Sequence, residues 1–107
     1  MKIPCICIDD KNKPEIIPLS RWVKENEEYH ITHVYFHKIQ EGGIQGVVLY
    51  EKPLGEESAP YESFRITRFS FTREGIESLI ELMKLCSELD DIDIKELTEE
   101  LEVHEQD

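Results

Sequence analysis

The apolar run Ile3-Pro4-Cys5-Ile6-Cys7-Ile8 alternates with β-branched residues at Ile6 and Ile8, and the turn-forming run Asp9-Asp10-Lys11-Asn12-Lys13-Pro14 follows at once. That pattern predicts a first strand over residues 3–8 and then a loop. Ile17 precedes Pro18 and is therefore extended. Residues 19–24 suit one short helical turn anchored by Trp22 and Val23, and Glu25-Asn26-Glu27-Glu28 is a polar break. From 29 to 39 the content of Ile, Thr, Val, Tyr and Phe favours a strand over a helix. Its alternation fails once, because Tyr29 and Ile31 share one parity whereas Val34 and Phe36 share the other. A β-bulge near Thr32 and His33 restores the pattern by inserting one residue and bending the strand. Gln40-Glu41-Gly42-Gly43 then predicts a reversal, with a return strand over residues 44–51 whose apolar residues occupy both parities.

After a polar loop over residues 52–60, strand character resumes from 61 to 71, and the alternation slips again. Phe64 and Ile66 share one parity, Phe69 and Phe71 the other. Two strands that each lose register halfway suit a tightly curved sheet, since closure demands bends. Thr72 is a credible N-cap for a helix through about residue 89, with Glu74 in its first turn. Ile76, Leu79, Ile80, Met83 and Cys86 form one apolar stripe; Leu82, Leu85 and Leu89 widen it beyond a single buried face. The helix therefore needs two neighbours. One is the outer face of the sheet. The other is either the last segment, where Asp93-Ile94-Lys95-Glu96 is an Asp variant of the capping box and Ile94, Leu97 and Leu101 share a side, or a second copy of the chain. Leu82, Leu85, Leu89, Leu97 and Leu101 are thus the candidate interaction residues. Residues 103–107 are expected to fray. The fold class predicted is α+β in one domain, 1–107. Residues 1–71 form a small, strongly bent antiparallel β-barrel, and residues 72–107 an acidic extension of one amphipathic and one short acidic helix.

Charge sharpens this picture. The 107 residues carry a formal net charge of -12, and it is not spread evenly. Residues 1–71 hold 9 Lys and Arg against 11 Asp and Glu, giving -2, while residues 72–107 hold 3 against 13, giving -10. Free DNA or RNA is repelled by such an end, because nucleic-acid binding draws on Lys and Arg neutralising phosphates. The acidic third serves either as a solvated face or as a docking surface for a basic partner. No apolar run approaches the roughly 20 residues of a bilayer-spanning helix, so no membrane partner is expected. The apolar stretch at the N-terminus is shorter than a signal peptide's and lacks a cleavage site. Three cysteines, an odd number, fit a reduced cytoplasmic protein better than a disulfide scaffold.

Candidate chemistry is sparse. Cys5 and Cys7 share one face of a strand, about 6.6 Å apart along it, which is awkward for a disulfide and open to a shared soft metal only with further ligands such as Cys86. The commoner role of such cysteines is as small buried hydrophobes. His30 differs in parity from His33 and His37, and the latter two lie about 13 Å apart on a strand, so the three do not converge on one ion. An EF-hand starting at Asp10 would need Gly and Glu where Glu15 and Arg21 stand. The carboxylates of the helical third lie on faces expected to be exposed, and Ser20, Ser63 and Ser70 have no evident base. Arg65, Arg68 and Arg73 interleave with Phe69 and Phe71 as in single-strand-binding barrels. The near-neutral surroundings instead suggest core phenylalanines and arginines paired with local glutamates.

Tyr29-His30-Ile31-Thr32-His33-Val34, then Gly43-Ile44-Gln45-Gly46-Val47-Val48-Leu49, then Tyr61-Glu62-Ser63-Phe64-Arg65-Ile66-Thr67-Arg68-Phe69 together resemble small uncharacterised SH3-like barrel proteins of bacteria and their phages. The likeness spans about residues 5–71; Cys7-Ile8-Asp9-Asp10, Pro14 and Ile17-Pro18 also fit it. It implies a fold and no activity. The tyrosine cluster of peptide-binding SH3 domains is missing, so recognition of proline-rich ligands does not carry over. The function expected is a non-catalytic protein-interaction module without a cofactor, able to self-associate through its helix. The alternatives are an acidic decoy for a basic nucleic-acid-binding protein and a small metal protein using Cys5 and Cys7.

Overall fold

The computed structural model describes residues 1–36, 45–86, 94, 98, 99 and 101–104. Strand β1 (Ile3–Cys7) is central, and its alternation sends Ile3, Cys5 and Cys7 into the core. It pairs antiparallel with β2 (Glu28–Phe36) on one side and with β5 (Phe69–Phe71) on the other. Beyond β2 lie β3 (Gln45–Leu49) and β4 (Phe64–Arg65), both antiparallel to their neighbours. Beyond β5, the two-residue β6 (Glu102–Val103) joins in parallel, so the order is β4-β3-β2-β1-β5-β6.

The bulge lies where the alternation places it. Ile31 faces Leu49 and His33 faces Val48, which leaves Thr32 as the extra residue. Tyr29, Ile31 and Val34 are thereby all buried despite their mixed parity. The second slip has a different cause. Between β4 and β5 the chain does not bend within one strand but breaks at a 3-10 turn, Ile66–Arg68, and changes edge. In a flat sheet β4 and β5 would be four strand spacings apart, roughly 19 Å. The four residue-to-residue steps from Arg65 to Phe69 reach roughly 8 Å in 3-10 geometry and about 14 Å at full stretch. The sheet must therefore curl until its ends approach, and the rings of Phe64 and Phe69 lie 6.5 Å apart. The result is a six-stranded half-barrel, antiparallel except at β6.

Helix α1 (Arg73–Cys86) starts where the capping signal puts it. Thr72 Oγ1 accepts the Gly75 N–H at 2.9 Å, the N-cap bond that satisfies one of the unpaired amides of the first turn. The helix packs against β1, β2 and β5. Leu79, Leu82 and Met83 enter the core, with Ile76, Ile80 and Cys86 partly buried against it. Ile94 and Leu101 complete the same cluster. This chain's own C-terminal segment thus contributes to the core that the helix enters. Two candidate interaction residues, Leu82 and Leu101, are core residues at 5% and 8% exposure, whereas Leu85 is 76% exposed. Leu89, Leu97, the turn at 40–43 and most of the expected short acidic helix fall outside the described residues.

The end of the chain is not frayed through His104. Its backbone N–H donates to Phe71 O at 2.8 Å, and its Nδ1 lies 2.8 Å from Ser70 Oγ. Among the described residues, no helix is long and apolar enough to cross a membrane.

Truncating a buried leucine removes contacts and leaves a void, whereas an exposed one loses little. Leu82→Ala is expected to cost about 2–5 kcal/mol in urea unfolding. Leu85→Ala is expected to change stability by less than about 0.5 kcal/mol.

Candidate functional site

The loop after β1 is built by its acidic and amide residues. Asp9 Oδ1 accepts the Lys11 N–H at 3.0 Å, and Asp10 Oδ2 accepts the Glu25 N–H at 3.0 Å. Asn12 adopts φ 62°, the left-handed region that asparagine tolerates better than most residues. The Trp22 indole N–H donates to Asp10 O at 2.6 Å. These carboxylates therefore hold turns.

Arg68 ties this loop to the 3-10 joint. Its Nη1 donates to Asp9 O at 3.2 Å and to Lys11 O at 2.8 Å, and lies 3.5 Å from Asp9 Oδ1. Its guanidinium sits 4.9 Å from the centre of the Trp22 ring, within cation–π range. The amides of Ile8 and Asp9 in turn donate to Arg68 O at 2.7 and 3.3 Å.

A cleft of about 420 Å³ opens between this loop and the segment from Tyr61 to Arg68. Pro14, Ile17, Trp22, Tyr61 and Phe64 supply its apolar and aromatic lining. Ser63, Thr67 and Arg65 add hydroxyls and a guanidinium. Trp22 and Phe64 are nearly buried, and their ring centres are 5.6 Å apart; Tyr61 is half-exposed. The two cleft arginines differ. Arg68 is engaged as above, while Arg65 is exposed and makes no ion pair among the described residues. Phe64, Phe69 and Phe71 are core residues, and the local acid that meets Arg68 is Asp9.

Elsewhere the polar groups are committed to the fold. Cys5 and Cys7 share the buried face of β1 as their spacing requires, and the Cys5 thiol donates to Tyr29 O at 3.5 Å. Burial, with nearby carboxylates adding to it, pushes the Cys5 thiol far above its ordinary range; burial raises Cys7 as well. Both are held as thiols, which opposes metal ligation and nucleophilic use. Among the described residues, no three His, Cys, Asp or Glu side chains gather as a metal site would need.

His30 and His33 diverge. His30 meets Glu51, with its ring Nδ1 2.5 Å from Oε2 and its backbone N–H donating to Oε1 at 2.8 Å. His33 faces outward at the bulge, against Tyr35 and near Cys86; His37 lies outside the described residues. Ser70 does have an imidazole neighbour, His104, but it is buried at 6% exposure and secures the last strand.

The cleft and the contacts at Ser70 and Cys86 escape sequence reasoning because their members lie tens of residues apart with no spacing motif. Pro14, Trp22 and Tyr61 signal only turns and core anchors.

Comparison of the chain with protein-family models, with curated proteins and with solved structures gave no match.

Burial alone would raise the Glu51 carboxyl, but hydrogen bonds from the ring and backbone of His30 outweigh it and hold the group below its ordinary 4.5. A depressed folded value stabilises the protein above 4.5, and that contribution disappears as pH falls through the folded value. Glu51→Gln is therefore expected to flatten the loss of stability on acidification below about pH 4.5, read as urea midpoints against pH.

Proposed function

We infer that this protein is a non-catalytic interaction module which holds a short segment of a partner protein in the cleft between the β1–β2 loop and the 3-10 joint. The observation that carries this reading is the composition of that cleft. The half-exposed ring of Tyr61 lies beside hydroxyls and the Arg65 guanidinium, which makes no ion pair among the described residues, a mixture that favours peptide recognition. Apolar side chains of the partner bury against the half-exposed ring of Tyr61 and beside Pro14, and a carboxylate satisfies Arg65. The partner segment is thus acidic and apolar. The half-barrel with a 3-10 joint before its closing strand supports the SH3-like resemblance, and three free cysteines support a reducing cytoplasm.

A second reading, an acidic decoy for a basic nucleic-acid-binding protein, draws on the solvent face of α1, where Glu74, Glu77 and Glu81 are exposed. Its mark is capture of the basic partner that weakens steeply with salt.

An unbiased displayed-peptide library separates the readings. The expected outcome is enrichment of peptides with an acidic residue next to an apolar one. These bind with a change in the fluorescence of the single tryptophan, Trp22, and lose affinity for the Arg65→Glu protein. Enrichment of lysine-rich peptides that bind Arg65→Glu equally well overturns the cleft reading in favour of the acidic face. No enrichment at all removes the cleft as a docking site.

A further inference from the structure

Cys86 is the last described residue of α1, and its sulfur lies 3.6 Å from Nδ1 of His33, a residue 53 positions away. Two features of the fold bring them together. α1 packs against β2, and its last apolar position points back to that strand. The bulge at Thr32 then lets Val34 enter the core while His33 stays on the outside. The His33 ring is braced by Tyr35, whose ring centre is 4.6 Å away at an interplanar angle of 70°. A nucleophile beside an imidazole that a third group orients is the arrangement found in activated thiols. The other two cysteines provide the contrast. Cys5 and Cys7 are sealed in the core with their protons retained, whereas Cys86 is half-buried and its partner His33 is exposed.

We propose that Cys86 and His33 form a thiol-exchange site that takes a small-molecule disulfide and is reversibly capped by one of its halves. With the neutral imidazole's proton on Nε2, Nδ1 accepts the hydrogen of the Cys86 thiol as its sulfur attacks one sulfur of the disulfide. A new S–S bond forms at Cys86, the S–S bond of the reagent breaks, and the departing thiolate takes the proton from His33. The disulfide is the only oxidant the step consumes, and a second small thiol reverses it. Partial burial of Cys86 against the core favours a small disulfide over one carried by another protein.

Dithiodipyridine is a suitable probe, since it is uncharged and not repelled by the acidic chain. The folded protein is expected to release one equivalent of thiopyridone, and the protein in guanidinium three, one for each cysteine. Cys86→Ser brings the folded count to zero. His33→Gln keeps the folded count at one, which also reports that the variant is folded, but slows the reaction by about tenfold or more. Oxidised glutathione places a single adduct on the peptide containing Cys86. The proposal is overturned if the folded protein releases no thiopyridone, if Cys5 or Cys7 is the thiol that reacts, or if His33→Gln reacts at the rate of the unaltered protein.

Discussion

The three-residue link between Arg65 and Phe69 is the constraint on which this structure depends. It joins two strands that pair on opposite sides of the β3-β2-β1 core of the sheet, and its short reach forbids a flat arrangement. Curvature follows from chain connectivity as well as from side-chain preference. Arg68 secures the link from both of its ends. Its carbonyl accepts the amides of Ile8 and Asp9, and its guanidinium spans Asp9, Lys11 and the face of Trp22. One residue thereby joins the closing strand, the exit from β1 and the loop that walls the cleft. The cleft accompanies this curl: it opens between the β1–β2 loop and the segment from Tyr61 to Arg68 that carries the link.

Much of the architecture is legible in the chain, for identifiable reasons. The bulge at Thr32 is legible because one buried face must take Tyr29, Ile31 and Val34, and only an extra residue reconciles their parity. The start of α1 is legible because a threonine precedes the amphipathic run and caps it locally. The break at Ile66–Arg68 is less so, because a parity change has the same signature whether the strand bends or the chain crosses to another edge. The width of the apolar face of α1 suggests a second neighbour, but periodicity carries no information on whether it belongs to the same chain. Leu101 and Ile94 share the buried cluster of Leu79, Leu82 and Met83, while Leu85 stays exposed. The last residues look ready to fray by composition alone; partners at Ser70 and Phe71, more than thirty residues upstream, hold His104 in place.

The molecule separates its chemistry by burial and by sign. Cysteines at 5 and 7 act as small apolar residues at the centre of the sheet, where low polarity keeps their protons on. Carboxylates crowd the outward face of α1, and the exposed arginine of the cleft belongs to the nearly neutral first two thirds of the chain. The acidic face and the proposed docking cleft therefore lie on different parts of the chain.

Curling of the sheet within one chain is the central claim, and backbone NOEs across the β1–β5 and β3–β4 pairings test it most directly. Ile6 faces Ser70 in the first, and Val47 faces Phe64 in the second. The account predicts that both contacts appear together in a monomer and stay intramolecular when labelled and unlabelled protein are mixed. Loss of either contact, or its appearance between chains, would contradict it.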